Sequence, residues 1–479
     1  MNILMVSSEV SPFAKSGGLA DAVAALGKSL KEKGNCVKTI IPRYYGINRD
    51  ELELCKKDVC IKMFWKDIYV DFYKSGDIYF VDCEEFFGRD GIYSDCYGDF
   101  QDNPKRFAFF ARAVFAFCRA MTWIPDIIHS HDWAACITPV LLKFMEYADF
   151  SHTKSVLTIH NQGYQGAFDS SCYGMLGLPD EIRTVSGLQR YDGINFLQAG
   201  ILCSDVVTTV SETYAKEIQT EEQGFGLDGI LRVLNGRVSG IVNGADLTEW
   251  NPAVDKYIPA RYSVNDMSGK AVCKAALQRK FGLEVNPDIP LIGMVGRLVS
   301  QKGIDAVFAP NYGCMYRICR ELKVQVVLVG TGEKWCQNEV RHLSEVLPNF
   351  SGYIGYCEEL SHLVESGSDY FLMPSRYEPC GLNQIYSQLY GTLPIVRCTG
   401  GLADTVENFD EKTGKGTGFS FYDLTPDAIF NTVKWALSFY KDKAVIKKIQ
   451  KAGMSKDFSW NKSAEKYLCL YRKILEIEK

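Results

Sequence analysis

Short apolar runs without polar alternation constrain this chain more than any other feature. Such runs fit strands covered on both faces of a parallel sheet. In the first half they fall at Ile3–Val6, Val37–Ile41, Ile78–Val81, Ile127–His129, Val156–Ile159 and Val206–Val210. Helical patterns stand between several of them, at Leu19–Lys33, Pro104–Met121, Ala134–Tyr147 and Glu212–Thr220. That alternation predicts a doubly wound parallel sheet. Asn243-Gly244-Ala245-Asp246 breaks the pattern, and the segment to Asp255, with Trp250-Asn251-Pro252, reads as a linker. The alternation then resumes, with strands expected at Leu291–Val295, Val324–Val329, Tyr370–Met373 and Ile395–Val396. A chain of 479 residues is too long for one ordinary core. The expected architecture is α/β: two doubly wound domains, 1–243 and 244–457, facing across a cleft. A last segment, 458–479, places Ala464, Tyr467, Leu468, Tyr471 and Ile474 at helical spacing.

Composition matters here for what it excludes. A net charge of −5 gives no electrostatic case for nucleic acid. The longest apolar helical stretch, Phe107 to Trp123, carries Arg112 and Arg119 and reads as a core helix, so no membrane partner is expected. The amino terminus lacks a basic region, and Glu9 follows its short apolar run, so no signal peptide is expected there. The 17 cysteines form no CxxC pair and read as reduced cytoplasmic thiols. The six histidines show no HxxxH spacing, and no metal site is expected.

The chemistry concentrates in loops that follow strands. Met373 closes a strand, and Pro374-Ser375-Arg376-Tyr377-Glu378-Pro379-Cys380-Gly381-Leu382-Asn383-Gln384 leads into an apolar helix pattern. Open α/β sheets bind ligands at such places. The backbone N–H groups of Gly381, Leu382 and Asn383 would open that helix and suit an anion such as a diphosphate. Glu378 sets a carboxylate beside them. Arg297 and Lys302 stand five apart across the turn after another strand, where two cations could meet a diphosphate and stabilise it as it leaves. Lys15-Ser16-Gly17-Gly18-Leu19-Ala20-Asp21 opens the first long helix, with no GxGxxG fingerprint after the strand. His131-Asp132-Trp133 and His160-Asn161 also end strands. His129 and His131 read as structural.

These residues resemble the bacterial glycogen synthase and plant starch synthase family. The resemblance rests on Pro374 to Gln384, Tyr390 to Arg397 and Gly400-Gly401-Leu402-Ala403-Asp404-Thr405-Val406. It extends over Asp102 to Phe107, Val210 to Tyr214 and Trp250-Asn251-Pro252, and is weakest from Ala309 to Arg320. It implies a retaining glucosyltransferase of GT-B type, with two Rossmann-like domains and a last helix returning to the first. It implies glucose transfer from ADP-glucose to an α-1,4-glucan primer, without a cofactor. By the same resemblance, Glu378, His160, Asp132, Arg297 and Lys302 are catalytic. The donor-binding set is Lys15, Gly17, Gly18, Asp21, Tyr356 (stacked on the base), Cys380, Gly381, Leu382 and Asn383. Tyr93 and Asn243 lie on the sugar or acceptor side. Two positions depart from the pattern: Ser16, where the family has Thr, and Gln198, where it commonly has Lys. The alternatives are a UDP-glucose-using glucan synthase, another retaining GT-B transferase, or a catalytically silent glucan-binding protein. All the matched charged residues are present, which disfavours the last.

Overall fold

The structure is a computed structural model, and it describes residues 1–63, 66–234 and 236–476. The chain divides into two compact units. Unit 1 is Met1–Gly244 together with the segment from Trp460 onward, and unit 2 is Ala245–Ser459. The last three positions of the expected segment 458–479 lie outside the described residues.

Unit 1 holds a sheet of nine strands: β1 (Asn2–Val6), β2 (Cys36–Pro42), β3 (Glu53–Lys62), β4 (Asp67–Ser75), β5 (Ile78–Asp82), β6 (Ile127–His131), β7 (Lys154–Ile159), β8 (Val206–Thr209) and β9 (Val238–Gly240). Their spatial order is 9-8-7-6-1-2-5-4-3. β1 is central, with Ile3 beside Val37 on one side and Ile127 on the other. Ile3, Leu4, Met5 and Val6 are fully buried, as a strand with helices on both faces requires. Helix α1 (Gly18–Glu32) buries Leu19, Val23, Leu26 and Leu30, one stripe at helical spacing. Asp21 in its first turn and Lys31 in its last complement the helix dipole. Helix α2 (Asn103–Ala120) starts with Pro104 in its first turn and buries all five of its phenylalanines completely.

Two expectations are corrected in this unit. The single helix expected at Ala134–Tyr147 is a 3₁₀ turn, Trp133–Ala135, followed by helix α3, Ile137–Phe144. Pro139 cannot donate to Ala135 and crowds that carbonyl, so regular helix begins only at Ile137. β3 and β4 were not expected at all. They form an antiparallel hairpin at the sheet edge, where β3 is mostly exposed and carries charges that mask any apolar run.

Unit 2 holds six parallel strands: β10 (Leu291–Leu298), β11 (Gln325–Gly332), β12 (Phe350–Ile354), β13 (Tyr370–Met373), β14 (Leu393–Arg397) and β15 (Phe419–Phe421). Their order is 12-11-10-13-14-15. The edge strands β12 and β15 escaped the sequence reading because they are short and interrupted by Ser and Gly. Helices α4 (Glu358–Gly367) and α5 (Asn383–Leu389) follow β12 and β13. The expected linker is also corrected, because its residues are part of this unit. Trp250 stacks between His362 (ring centroids 3.8 Å apart) and Tyr386 (3.9 Å). The buried Asp255 accepts hydrogen bonds from Tyr390 and His362.

The last helix, α6 (Trp460–Glu476), packs within unit 1 and buries Ala464, Tyr467, Leu468, Tyr471 and Ile474.

Candidate active site

Each sheet winds outward in two directions from its first strand. The winding reverses between β1 and β6 in unit 1, and between β10 and β13 in unit 2. The loops after those strands therefore border the crevices where open α/β sheets take ligands. The loop after β1 carries Lys15 and Gly17 and leads into the first turn of α1 with Gly18 and Asp21, and the loop after β6 carries Asp132. The turn after β10 carries Lys302, with Arg297 in the strand's last two residues, and the loop after β13 carries Glu378, Cys380, Gly381 and Leu382. Tyr356 follows β12, and Asn243 follows β9.

In unit 1 the first loop is anchored by Glu9, which is 2% exposed and which the sequence reading passed over. Its carboxylate accepts from the Ser16 backbone N–H (2.5 Å), the Ser16 hydroxyl (2.7 Å) and the Tyr93 hydroxyl (2.7 Å). Those bonds explain why a Ser-for-Thr change at position 16 is tolerated: the hydroxyl is the part in use. Lys15 forms an ion pair with Asp21 at 2.8 Å, and both are well exposed. A Cβ placed on Gly17 or Gly18 would meet nothing within 4 Å, so packing inside the protein does not select glycine at either position.

Asp132 has φ +56°, a strained setting for a residue with a side chain. Its carboxyl accepts from the backbone N–H of His160 (2.6 Å) and Asn161 (3.3 Å), so one group fixes the turn after β7. Desolvation pushes this carboxyl up to about 7 against the pull of those two N–H groups. Burial pushes His160 down to about 3, so its imidazole is neutral at physiological pH. His160 Nε2 meets His131 Nδ1 at 3.0 Å. His129 spends both ring nitrogens inside the core, on Tyr471 (2.7 Å) and Thr158 (2.6 Å). Asn243 is buried, and Tyr93 packs against Phe107 and Trp133.

Gln198 has a structural task. Its amide donates to the Gly187 (2.6 Å) and Gln189 (3.1 Å) carbonyls and accepts from Arg190 (2.9 Å). A lysine can only donate, so it could not meet Arg190 in this way.

In unit 2 the two loops at the reversal are joined directly. Lys302 Nζ lies 2.5 Å from Glu378 Oε2, and the Ser375 hydroxyl donates to the same oxygen at 3.0 Å. Glu378 is 5% exposed. Gln301 accepts from the Arg376 backbone N–H. Gly303, at φ +71°, passes so close to Pro374 that a Cβ would sit 1.9 Å from its carbonyl oxygen. Arg297 is exposed and reaches Gln301 at 3.3 Å. Lys302 and Arg297 are thus not equivalent cations: the first is matched by a buried carboxylate, the second faces solvent. The second glycine turn closes on the first, because a Cβ at Gly401 would lie 2.0 Å from the Cys380 carbonyl oxygen. Gly401 N–H donates to the Glu378 carbonyl. Asn383 opens α5, and its side chain donates to the Val295 carbonyl at 2.8 Å. The Tyr356 ring is 75% exposed.

Residues 2–233 match the profile of the starch synthase catalytic domain, and residues 278–452 match glycosyl transferases group 1. A glycogen synthase of Treponema denticola is 50% identical, with 99% of each chain covered. The chain belongs to the glycogen and starch synthase family. This family member is a glycosyltransferase. A glycogen synthase of Koribacter versatilis is 42% identical over 100% of this chain and 99% of its own. The catalytic domain of Starch Synthase IV from Arabidopsis thaliana, solved bound to ADP and acarbose, superposes with a TM-score of 0.89 at 31% identity, covering 99% of each chain. A sucrose-phosphate synthase of Thermosynechococcus elongatus, at 16% identity and a TM-score of 0.62 over 100% of each chain, shares the GT-B fold. No described helix is long and apolar enough to cross a membrane.

Metal-ligand geometry does occur, at a place the sequence reading did not consider. Glu249, Glu358 and His362 each bring one ligand atom within 4.8 Å of the others. Glu358 and His362 stand four apart on one helix, but Glu249 lies about a hundred residues earlier in the chain and no spacing rule joins it to them.

Proposed function

We propose that this glycosyltransferase moves glucose from ADP-glucose to the 4-hydroxyl at the non-reducing end of an α-1,4-glucan, with retention of configuration. The Lys302–Glu378 pair carries the reading, because it sets a cation and a buried carboxylate together at the reversal point of a nucleotide-binding type of sheet. The Arabidopsis relative bound to ADP and acarbose supports the choice of nucleotide and of a glucan-like acceptor.

In unit 2, Arg297, Lys302 and the amides of Gly381, Leu382 and Asn383 receive the diphosphate and take up its charge as it leaves. Tyr356 offers an exposed face to the adenine. The sugar passes through an oxocarbenium-like state, and the Glu378 carboxylate opposes its positive charge and holds donor hydroxyls. In unit 1, Gly17 and Gly18 admit a ligand close to the backbone, and Lys15 supplies charge to the diphosphate. His160 is neutral and bound through Nε2 to His131, which leaves Nδ1 for a sugar hydroxyl. Asp132 holds that histidine's backbone in place and positions sugar or acceptor with it. Tyr93 and Asn243 complete the sugar side. We place the reaction in the cytoplasm, in line with cysteines that are free thiols in the structure.

The test is an assay of the purified enzyme with ADP-glucose and UDP-glucose in parallel, a glycogen primer and labelled glucose. Label should enter amylase-digestible glucan from ADP-glucose at a much higher rate. Equal or faster incorporation from UDP-glucose overturns the donor assignment, and no incorporation from either overturns the reading.

A further inference from the structure

The segment that follows the chain's entry into unit 2 is held by an arrangement that packing alone does not account for. His362 is completely buried on α4, and its Nδ1 lies 2.8 Å from the Asp255 carboxylate. Asp255 is 3% exposed and also accepts from the Tyr390 hydroxyl at 2.5 Å. An Nδ1–H donated to a carboxylate fixes the tautomer and leaves Nε2 with a bare lone pair. That Nε2 is buried and has no hydrogen-bond partner. An unpaired buried acceptor is destabilising, so its retention calls for a reason.

The neighbours of this nitrogen supply one. Glu358 and His362 are four apart on α4, which places both on one face of the helix. Glu249, from the segment around Trp250, comes to the same place, and the three ligand atoms lie within 4.8 Å of one another. The Glu249 and Glu358 carboxyl groups are thus neighbours. Two carboxylates at that spacing repel each other, and a cation between them relieves the repulsion.

We infer that Glu249, Glu358 and His362 form a binding site for a divalent transition-metal ion, with zinc the best fit. One imidazole nitrogen and two carboxylate oxygens are a zinc-type donor set, and a water completes four-coordination. Asp255 is the outer carboxylate that orients the histidine. Ligand bonds of about 2.0–2.1 Å require ligand atoms about 3.3 Å apart. Small rotations of the exposed Glu249 side chain bring the set to that spacing. The ion ties the Trp250 segment to α4. It is a brace, and none of its ligands belongs to the residues proposed to act on the donor or the glucan.

The experiment uses the full-length enzyme, stripped with chelator and dialysed, and Zn²⁺ alone as the probe. Titration calorimetry should give about one site per chain. The Tm should rise on adding Zn²⁺. Because His362→Gln disturbs a buried residue, the decisive variant is Glu249→Gln/Glu358→Gln, which keeps size and shape. It should fold, bind Zn²⁺ at least about tenfold more weakly and lose the Tm rise. Co²⁺ in the same site should give absorption without a thiolate charge-transfer band, which separates it from metal held by the many cysteines. Equal Zn²⁺ affinity and Tm response in parent and double variant, or a thiolate band from the only tight site, overturns the proposal. So does an absence of binding in the parent. Glucan synthesis should continue in the double variant.

Discussion

Replacing Glu378 by glutamine removes one negative charge and almost nothing else. The amide keeps the length of the side chain and can still accept from the Ser375 hydroxyl, so the loop after β13 retains its shape. What disappears is the charge facing Lys302 at 2.5 Å. Breaking a fully buried ion pair costs about 3–5 kcal/mol. The Lys302 side chain is 27% exposed, so water moderates the loss, and about 1–3 kcal/mol is expected. That corresponds to a Tm drop of roughly 2–4 °C per kcal/mol for a domain of this size. Activity should respond more strongly. A preorganised charge that meets charge developing in the transition state is worth about 3–4 kcal/mol. We therefore expect kcat for glucan synthesis to fall by about 10²–10³, while the KM for ADP-glucose stays within about threefold. The rival explanation is that Glu378 merely holds Lys302 in place. A double-mutant cycle with Lys302→Met separates the two. If Glu378 acts on the sugar, the double variant falls well below Lys302→Met alone. A kcat in Glu378→Gln within about threefold of the parent, or no further loss in the double variant, refutes the reasoning.

Asp132→Asn should change the pH dependence of stability in a predictable direction. The folded carboxyl titrates near 7 and the unfolded one near 3.8, so the unfolded state binds fewer protons between those values and the parent loses stability as pH rises through them. The variant lacks this loss, so its stability relative to the parent, followed by Tm, should rise from pH 4 to pH 7 by up to about 2–4 kcal/mol; parallel profiles refute it. His160 has the opposite sign: its folded value near 3 lies below the ordinary 6.5, so it withdraws stability as pH falls from about 6.5 toward 3. Gln198→Lys should cost about 1–3 kcal/mol in thermal unfolding, because it leaves Arg190 facing a cation in a pocket that is 7% exposed at this residue. An unchanged Tm would show that Arg190 finds another acceptor. Gly401→Ala places a methyl group 2.0 Å from the Cys380 carbonyl and should shift the loop carrying Glu378, at about 1–3 kcal/mol and with a marked fall in kcat. Parental kcat in that variant would show that the two glycine turns move independently.

The buried strands were legible because a doubly covered strand has little choice but to be apolar. Tyr370–Met373 was read to the residue, and most other strands to within a few positions. The β3–β4 hairpin was not legible, since a strand at an exposed edge carries Glu, Lys and Asp and shows no clean period. The loops bearing Glu378, Arg297 and Lys302 stood out through their position after strands and their glycines. Their pairing did not, because Lys302 and Glu378 are 76 residues apart and only the strand order brings them together. Glu9 was hidden for a similar reason: its partners Ser16 and Tyr93 come from separate segments. The segment around Trp250 was read as a linker on its Asn, Gly and Pro content. The aromatic stacking that holds it depends on His362 and Tyr386, far along the chain.

The place of α6 has a consequence for synthesis on the ribosome. Unit 2 is contiguous in the chain, whereas unit 1 needs residues from both ends. Tyr471 Oη, the hydrogen-bond partner of the buried His129, comes from the final helix, and so do Tyr467 and Ala464. Until α6 has been made, the nascent first unit shows the apolar trough that this helix will fill, while the second unit has already emerged whole. Nascent chains usually complete their amino-terminal domain first. Here the order is inverted, and the emergence of α6, after the whole of unit 2, decides when the first domain stops being a client for chaperones and proteases.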